Sequence, residues 1–325
     1  MGAWALPPWS LGNSASCRVA PHLRVYQQNT HPHELGLSKP FHLYHQFKMS
    51  PKPIPDFLPP QPPSNAHCQI IDFETSDPPL PEFKRYLAAV IDNALTEDEC
   101  NELLRIAESS TTDNTWERAM INTGNGRQAL SIDYRNCGRI ILDDHDIAAK
   151  LQARLLPFLE QLGIYRLENR PLITGLAGRN RTYQITQFNE RLRFLKYVGG
   201  EYFRAHCDAK YTSPDRKEKS FFTVHLYLNG KGEQDVKEIK RAAAAAEMDQ
   251  GKSNANTNLD GELLGGATSF LPRYEEKERH LRVFPKAGSV LVFQQSELMH
   301  SGDPVFRGTK YTLRTDVMYE EVAIF

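Results

Sequence analysis

The chain of 325 residues has few cysteines: five, odd in number, scattered, and none in a Cys-x-x-Cys pair. That excludes a disulfide framework and favours a reducing, cytoplasmic compartment. No apolar run reaches membrane-spanning length, so no spanning helix is expected. Neither sign of charge is in surplus: 39 Lys and Arg against 40 Asp and Glu leave a formal charge of −1. A chain so balanced has no bulk electrostatic claim on nucleic acid. A secretory leader is also not expected, because Met1-Gly-Ala-Trp-Ala-Leu-Pro-Pro-Trp has no basic start and proline interrupts its short apolar run. What the chain does have is 40% hydrophobic residues, enough to bury one substantial core.

Composition divides the chain. Residues 1–80 are rich in proline, with no clear period and a linker-like run from Pro51 to Pro63, and are expected to be largely disordered. Residues 81–325 read as one globular domain. Near its start Thr96-Glu-Asp-Glu99 is a capping box, and Cys100, Leu103, Leu104 and Ala107 follow at helical spacing. A second amphipathic helix is expected from about Asp144 to Leu162, carried by Ile147, Leu151, Leu155, Phe158 and Leu162. Both helices are expected to brace a sheet from outside. Residues 230–262 read as a flexible polar insertion whose alanine-rich middle can form a short helix, with a lid as the functional alternative.

The chemistry lies in His206-Cys-Asp208, in His300, and in Lys310 ten residues further on. Two imidazoles and one carboxylate are the ligand set of a facial-triad Fe(II) site, which leaves coordination positions open. His-x-Asp alone is a weak signal, since eleven histidines produce on the order of one such triplet by chance. Its surroundings add weight. Arg193 to Tyr197 reads as a strand, Gly199 and Gly200 as a turn, and the run into His206 as a second extended segment. In an extended segment residues two apart share a side, so His206 and Asp208 can grip one ion while Cys207 points away.

The second half repeats the pattern. Phe284-Pro-Lys-Ala-Gly288 is a turn into the apolar strand Ser289 to Gln295, and His300 follows shortly after. From Thr309 to Tyr319 the chain alternates, with Lys310, Thr312, Arg314 and Asp316 on one face and Tyr311, Leu313, Thr315 and Val317 on the other. A polar face of this kind suits either a barrel interior that binds a dianion or a solvated strand surface. Lys310 is the expected partner of a cosubstrate carboxylate; Arg314 is a second cation that could grip it in bidentate fashion, or pair with Asp316 or substrate.

The runs Tyr197-(x8)-His206-x-Asp208, Gly265-Gly-Ala-Thr-Ser-Phe270 and His300-Ser-Gly-Asp-Pro-Val-(x4)-Lys310 resemble the catalytic domain of prolyl-4-hydroxylase-type 2-oxoglutarate- and Fe(II)-dependent dioxygenases, over roughly residues 86–321. The resemblance implies a mainly β fold, a double-stranded β-helix or cupin-like jelly roll flanked by helices. It implies His206, Asp208 and His300 as iron ligands, Lys310 and Tyr197 as partners of the distal carboxylate of 2-oxoglutarate, and dioxygen as cosubstrate, with ascorbate as a reductant. Phe203 stands where many members carry a second tyrosine. Asp208 separates the chain from halogenases, in which a small residue replaces the carboxylate ligand.

The implied reaction couples oxidative decarboxylation of 2-oxoglutarate to succinate with hydroxylation, or a related C–H oxidation, of an organic substrate. A small molecule is the favoured substrate class and a protein prolyl-type residue the alternative; a non-catalytic metal- or ligand-binding barrel is the third reading. Trp116, Arg118, Arg135 and Arg139 are candidates for shaping the substrate entrance, with Trp116 equally suited to anchor the core. Arg193, Lys196, Arg204 and Lys210 could fix a charged ligand, though most are expected to be solvated surface charges. His225, on the strand Phe221 to Leu228, is more simply a hydrogen-bonded structural histidine than a ligand.

Overall fold

The computed structural model describes residues 57–323 except 125–126, 249–257, 274–275 and 277–278. The expectation of disorder for residues 1–56 lies outside them. Two antiparallel sheets dominate the described residues. Along the larger one the strands run His67–Ile70, Ala88–Asp92, Val290–Gln294, Glu218–Tyr227, Lys310–Val322, Arg191–Tyr197, Gly138–Asp143 and Glu117–Arg118. The smaller one runs Leu281–Val283, Thr268–Phe270, His300–Gly302, Tyr202–His206 and Arg135–Asn136. Because strands distant in sequence become neighbours in each sheet, the chain winds between the two and builds the double-stranded β-helix that the resemblance implies.

Alternation along the strands assigns each face of the larger sheet. Leu313 and Val317, Leu192 and Phe194, and Phe222, Val224 and Leu226 are buried together on the outer face. Against them pack Cys100, Leu103 and Ala107 of the helix Glu97–Ser109, and Ile147, Leu151 and Leu155 of the helix His145–Gln161. Both helices begin as the sequence predicts. Thr96 Oγ1 accepts from Glu99 N at 3.2 Å while Glu99 Oε2 accepts from Thr96 N at 2.8 Å, and Asp144 caps the second helix by accepting from Ile147 N at 2.9 Å. No helix among the described residues is long and apolar enough to cross a membrane.

Ordered structure begins well before the expected Pro81. His67–Ile70 pairs with Ala88–Asp92, and Leu58, Phe73 and Leu80 are buried. Arg154, itself buried, ties this segment down: its Nε donates to Pro59 O at 2.8 Å and its Nη1 meets Glu99 Oε2 at 2.7 Å. Burial raises the Glu99 carboxyl, but the Arg154 bond and the Thr96 amide outweigh it and hold the group below its ordinary value. Proline-rich composition signals a missing helix or central strand, not a missing contact, which is why it mislocated this boundary.

The described part of the insertion is likewise anchored. Its helix Val236–Met248 is held by Arg307 Nη1 to Glu238 Oε1 at 2.8 Å, and Gln234 bonds both the N–H and the C=O of Gly265 at 2.6 and 3.1 Å. Residues 249–257, the rest of the expected flexible loop, lie outside the described residues. The predicted turn before Val290 needs its glycine: Gly288 sits at φ +78°, and a Cβ there would meet Leu95 O at 2.0 Å.

Candidate active site

Strand pairing in the smaller sheet brings the two histidines together. Tyr202–His206 lies beside His300–Gly302 with His206 directly opposite His300, and the ring centroids are 4.4 Å apart. His206 Nδ1 lies 2.8 Å from Arg204 O and His300 Nδ1 lies 3.1 Å from Leu298 O. A carbonyl only accepts, so each Nδ1 donates and each Nε2 is left with a lone pair. Asp208 follows two residues past the strand end. Its Oδ1 is 3.6 Å from His206 Nε2 and its Oδ2 is 3.8 Å from His300 Nε2. One donor atom from each residue lies within 4.8 Å of the others, and Cys207 is not in the group.

Electrostatics keep these donors in ligating form. Burial opposes ionisation of Asp208, yet Arg314 and the two imidazoles hold its carboxyl well below the usual range. Burial and the neighbouring His206 lower His300 to about 4, so its ring is neutral at neutral pH. Two imidazoles and one carboxylate converging on one point fit a divalent iron ion.

Residues 192–315 match the sequence profile of the 2OG-Fe(II) oxygenase superfamily. That segment carries the superfamily's pattern. This bears out the family read from the motifs, and makes the protein an oxidoreductase whose chemistry uses Fe(II), 2-oxoglutarate and dioxygen. A search of curated proteins finds no match. Among solved structures, the chain is similar to a viral collagen prolyl hydroxylase from Paramecium Bursaria Chlorella virus-1 in complex with 2OG, at 17% identity and TM-score 0.40, covering 72% of this chain and 96% of that one. It is similar also to a Pseudomonas putida prolyl-4-hydroxylase, at 18% identity and TM-score 0.42, covering 73% and 95%. A third is a Trichoplax adhaerens prolyl hydroxylase in complex with a hypoxia inducible factor oxygen degradation domain peptide, at 15% identity and TM-score 0.40, covering 72% and 83%.

The oxygenase pocket is walled by both sheets. The larger sheet contributes Leu195, Tyr197, His225, Phe293, Lys310 and Arg314; the smaller contributes Arg135, Phe203, Thr268 and Ser301 beside the histidines. Register explains the first group: Tyr197 pairs with Lys310, Leu195 with Thr312, Arg193 with Arg314, and Arg314 with His225, so these side chains share the inner face. The polar alternate face read from Lys310, Thr312, Arg314 and Asp316 is therefore the barrel interior and not a solvated surface.

Lys310 is only 2% exposed and makes no hydrogen bond or ion pair with a described residue. Its ammonium lies over the rings of Tyr197 and Tyr227, at 5.2 and 5.7 Å from their centroids, and burial lowers its pKa to about 8. A Cβ on Gly266, at φ +69°, would come within 3.1 Å of Lys310 Cδ, so this glycine makes room for the lysine stem. Thr312 Oγ1 and His225 Nε2 are also buried without partners. A buried cation and unpaired polar atoms around a pocket fit an anionic, oxygen-rich guest such as 2-oxoglutarate.

Arg314 is placed differently from the expectation that it serves the cosubstrate. Its Nη2 lies 3.0 Å from Asp208 Oδ2 and 3.4 Å from Asp316 Oδ1, so the guanidinium braces the candidate metal-ligating carboxylate. Thr223, not singled out from sequence, donates to the same Asp208 Oδ2 at 2.7 Å. Behind them Asp316 accepts from Arg193 Nη1 at 3.2 Å and from Gln295 Nε2 at 2.9 Å. Arg193 thus belongs to a half-buried network rather than to the solvated surface. The period-two alternation that exposed Lys310 and Arg314 would also have found Thr223 and Arg193, each on the same face of its own strand.

Other candidates separate by face. Trp116 packs against the outer core, with its indole N–H on Glu108 Oε1 at 3.1 Å, and Lys196 sits over the Trp116 and Tyr311 rings on that side. Arg118 meets Glu201 at 2.6 Å. Phe203 stacks on His206 at 3.7 Å between centroids, with 25° between planes; the ring that lacks the tyrosine hydroxyl fixes the plane of a candidate ligand.

Proposed function

We propose that this oxygenase hydroxylates a small organic molecule, with His206, Asp208 and His300 holding Fe(II) and Lys310 holding the distal carboxylate of 2-oxoglutarate. The observation that carries this reading is the meeting, in one pocket, of three convergent donors and a buried lysine with no partner. Iron, when bound, supplies the redox chemistry that couples decarboxylation of 2-oxoglutarate to oxidation of a C–H bond, so that substrate, dioxygen and 2-oxoglutarate become hydroxylated product, succinate and carbon dioxide. Every other contribution comes from the chain's own side chains.

Lys310 neutralises the far carboxylate in a site from which water is displaced, where a charge-assisted bond is strong. Tyr197, buried beside it, offers a hydroxyl to the same group. Arg314 and Thr223 engage Asp208 Oδ2, which orients the carboxylate and leaves Oδ1 toward His206. Phe203 and Phe293 flank the two histidine rings and exclude water from their faces. Phe203 leaves one cosubstrate hydrogen bond to be supplied elsewhere, and His225 Nε2, which lines the pocket, is an unpaired candidate on the inner face. A cytoplasmic setting accords with Cys68, Cys100 and Cys137, which form no disulfide.

The test is anaerobic addition of Fe(II) and 2-oxoglutarate to the folded protein. A weak visible charge-transfer band is expected; folded protein that shows none, and that releases no succinate in air, is a binding barrel and not an oxygenase.

A further inference from the structure

Five arginines lie on or beside the inner face near the candidate metal centre, and three of them have carboxylate partners. Arg118 meets Glu201, Arg193 meets Asp316, and Arg314 meets Asp208 and Asp316. Arg135 and Arg139 do not: neither side chain makes a hydrogen bond or ion pair with a described residue, and the Nε of each is buried without a partner. Arg139 is 6% exposed, so its charge is held almost wholly out of water. The register places Arg139 opposite Leu195, a pocket residue, on the inner face of the larger sheet. Across the pocket Arg135 pairs with Phe203, and its guanidinium stacks over that ring at 4.5 Å from the centroid. Phe203 in turn stacks on His206, so Arg135 is one ring removed from a candidate metal ligand.

A buried Arg139 and a half-buried Arg135 repel each other, and although Glu117 lies opposite Arg139 in register, no carboxylate of a described residue reaches either guanidinium, so an anion arriving from outside relieves the cost. Lys310, on another strand of the same inner face, already answers the distal carboxylate of the cosubstrate. We infer that Arg135 and Arg139 form a second anion-binding subsite, and that the substrate is a small molecule carrying a carboxylate which they grip while its C–H bond faces the histidines. This inference rests on the oxygenase reading and narrows its substrate class. Planar guanidinium groups suit a carboxylate because two parallel N–H donors match its two oxygens.

The experiment uses the full chain with Fe(II) and saturating 2-oxoglutarate under anaerobic conditions, so that the Lys310 site is filled. The probes are N-acetyl-L-amino acids and the corresponding primary amides, matched in shape and differing in charge, with dissociation constants measured by calorimetry. The acids are expected to bind about ten-fold or more tightly than their amides, the loss of a charge-assisted bond being of that order. In Arg135→Gln and in Arg139→Gln the ratio of acid to amide affinity is expected to collapse toward one, while Arg139→Lys keeps part of it. Taking the ratio cancels general damage to the pocket, and Arg135→Gln, at a less buried position, serves if the Arg139 variants fail to fold. Amides that bind as well as acids, no binding by either set, or a ratio unchanged in the glutamine variants overturns the inference. If the charge-transfer band with 2-oxoglutarate is present and the ratio is one, this inference alone falls; if the band is absent, the oxygenase reading falls with it.

Discussion

The inner and outer faces of the larger sheet are made by the same strands and do opposite things. On the strand Lys310–Val322, Leu313 and Val317 enter a core shared with two helices, while Lys310, Arg314 and Asp316 line or support the pocket one residue away. The outer face is satisfied: its apolar groups are buried and close-packed. The inner face is incomplete, with Lys310 and Arg139 making no hydrogen bond or ion pair with a described residue and Thr312 Oγ1 and His225 Nε2 unbonded. A strand two residues out of phase would keep this division; a strand one residue out of phase would exchange the core for the site.

Substitutions can break that comparison. The largest effect is expected inside, from His206→Ala: succinate formation should fall by at least about a thousand-fold while the melting temperature stays nearly unchanged, since an open metal site contributes little to the apo fold. Outside, the reverse is expected. Arg154→Ala, which strands Glu99 and frees Pro59 O, should cost about 3–5 kcal/mol in urea unfolding, and Leu313→Ala about 2–5 kcal/mol, with specific activity of the folded fraction retained. An outer-face variant that kills turnover without unfolding would blur the division.

Smaller effects sharpen it. Lys310→Ala should weaken 2-oxoglutarate binding by about thirty-fold or more, the scale of removing one partner of a buried charge pair, whereas Arg314→Gln should weaken iron retention more than cosubstrate binding. Titration of 2-oxoglutarate into each iron-loaded variant separates the two; normal binding in Lys310→Ala with loss in Arg314→Gln reverses their assignment. The mildest effect is on pH. Lys310 is lowered to about 8 by burial and pairs with a carboxylate only when protonated. Cosubstrate affinity should therefore be level below about 8 and decline as pH rises through it, approaching ten-fold per unit, and Lys310→Arg should remove the decline.

Much of this site could be read from residue order, and the part that could not shares one cause. The capping box at Thr96, the helix from His145, the inner-face alternation of Lys310 and Arg314, and the exclusion of Cys207 all follow from contacts within a few residues of each other. Local geometry repeats with a known period, so spacing alone locates such features. The seating of residues 57–80 was missed because it depends on Arg154, almost a hundred residues away in sequence, reaching Pro59 O. Arg314 reaches Asp316, one of the partners its alternation offers, at 3.4 Å; its closer partner Asp208, at 3.0 Å, is one no period could select, because that bond crosses from one sheet to the other.

From the order of residues alone, then, come the donor types, the family they resemble, and the side of each strand on which they fall, since backbone sterics set those. Which cations end with a carboxylate and which are left open was decided by folding: register and the crossing of sheets distribute five arginines among a few buried acids. Arg118, Arg193 and Arg314 were matched, Arg135 and Arg139 were not. Pairing energy depends on distance in space and on burial, neither of which exists until distant strands meet.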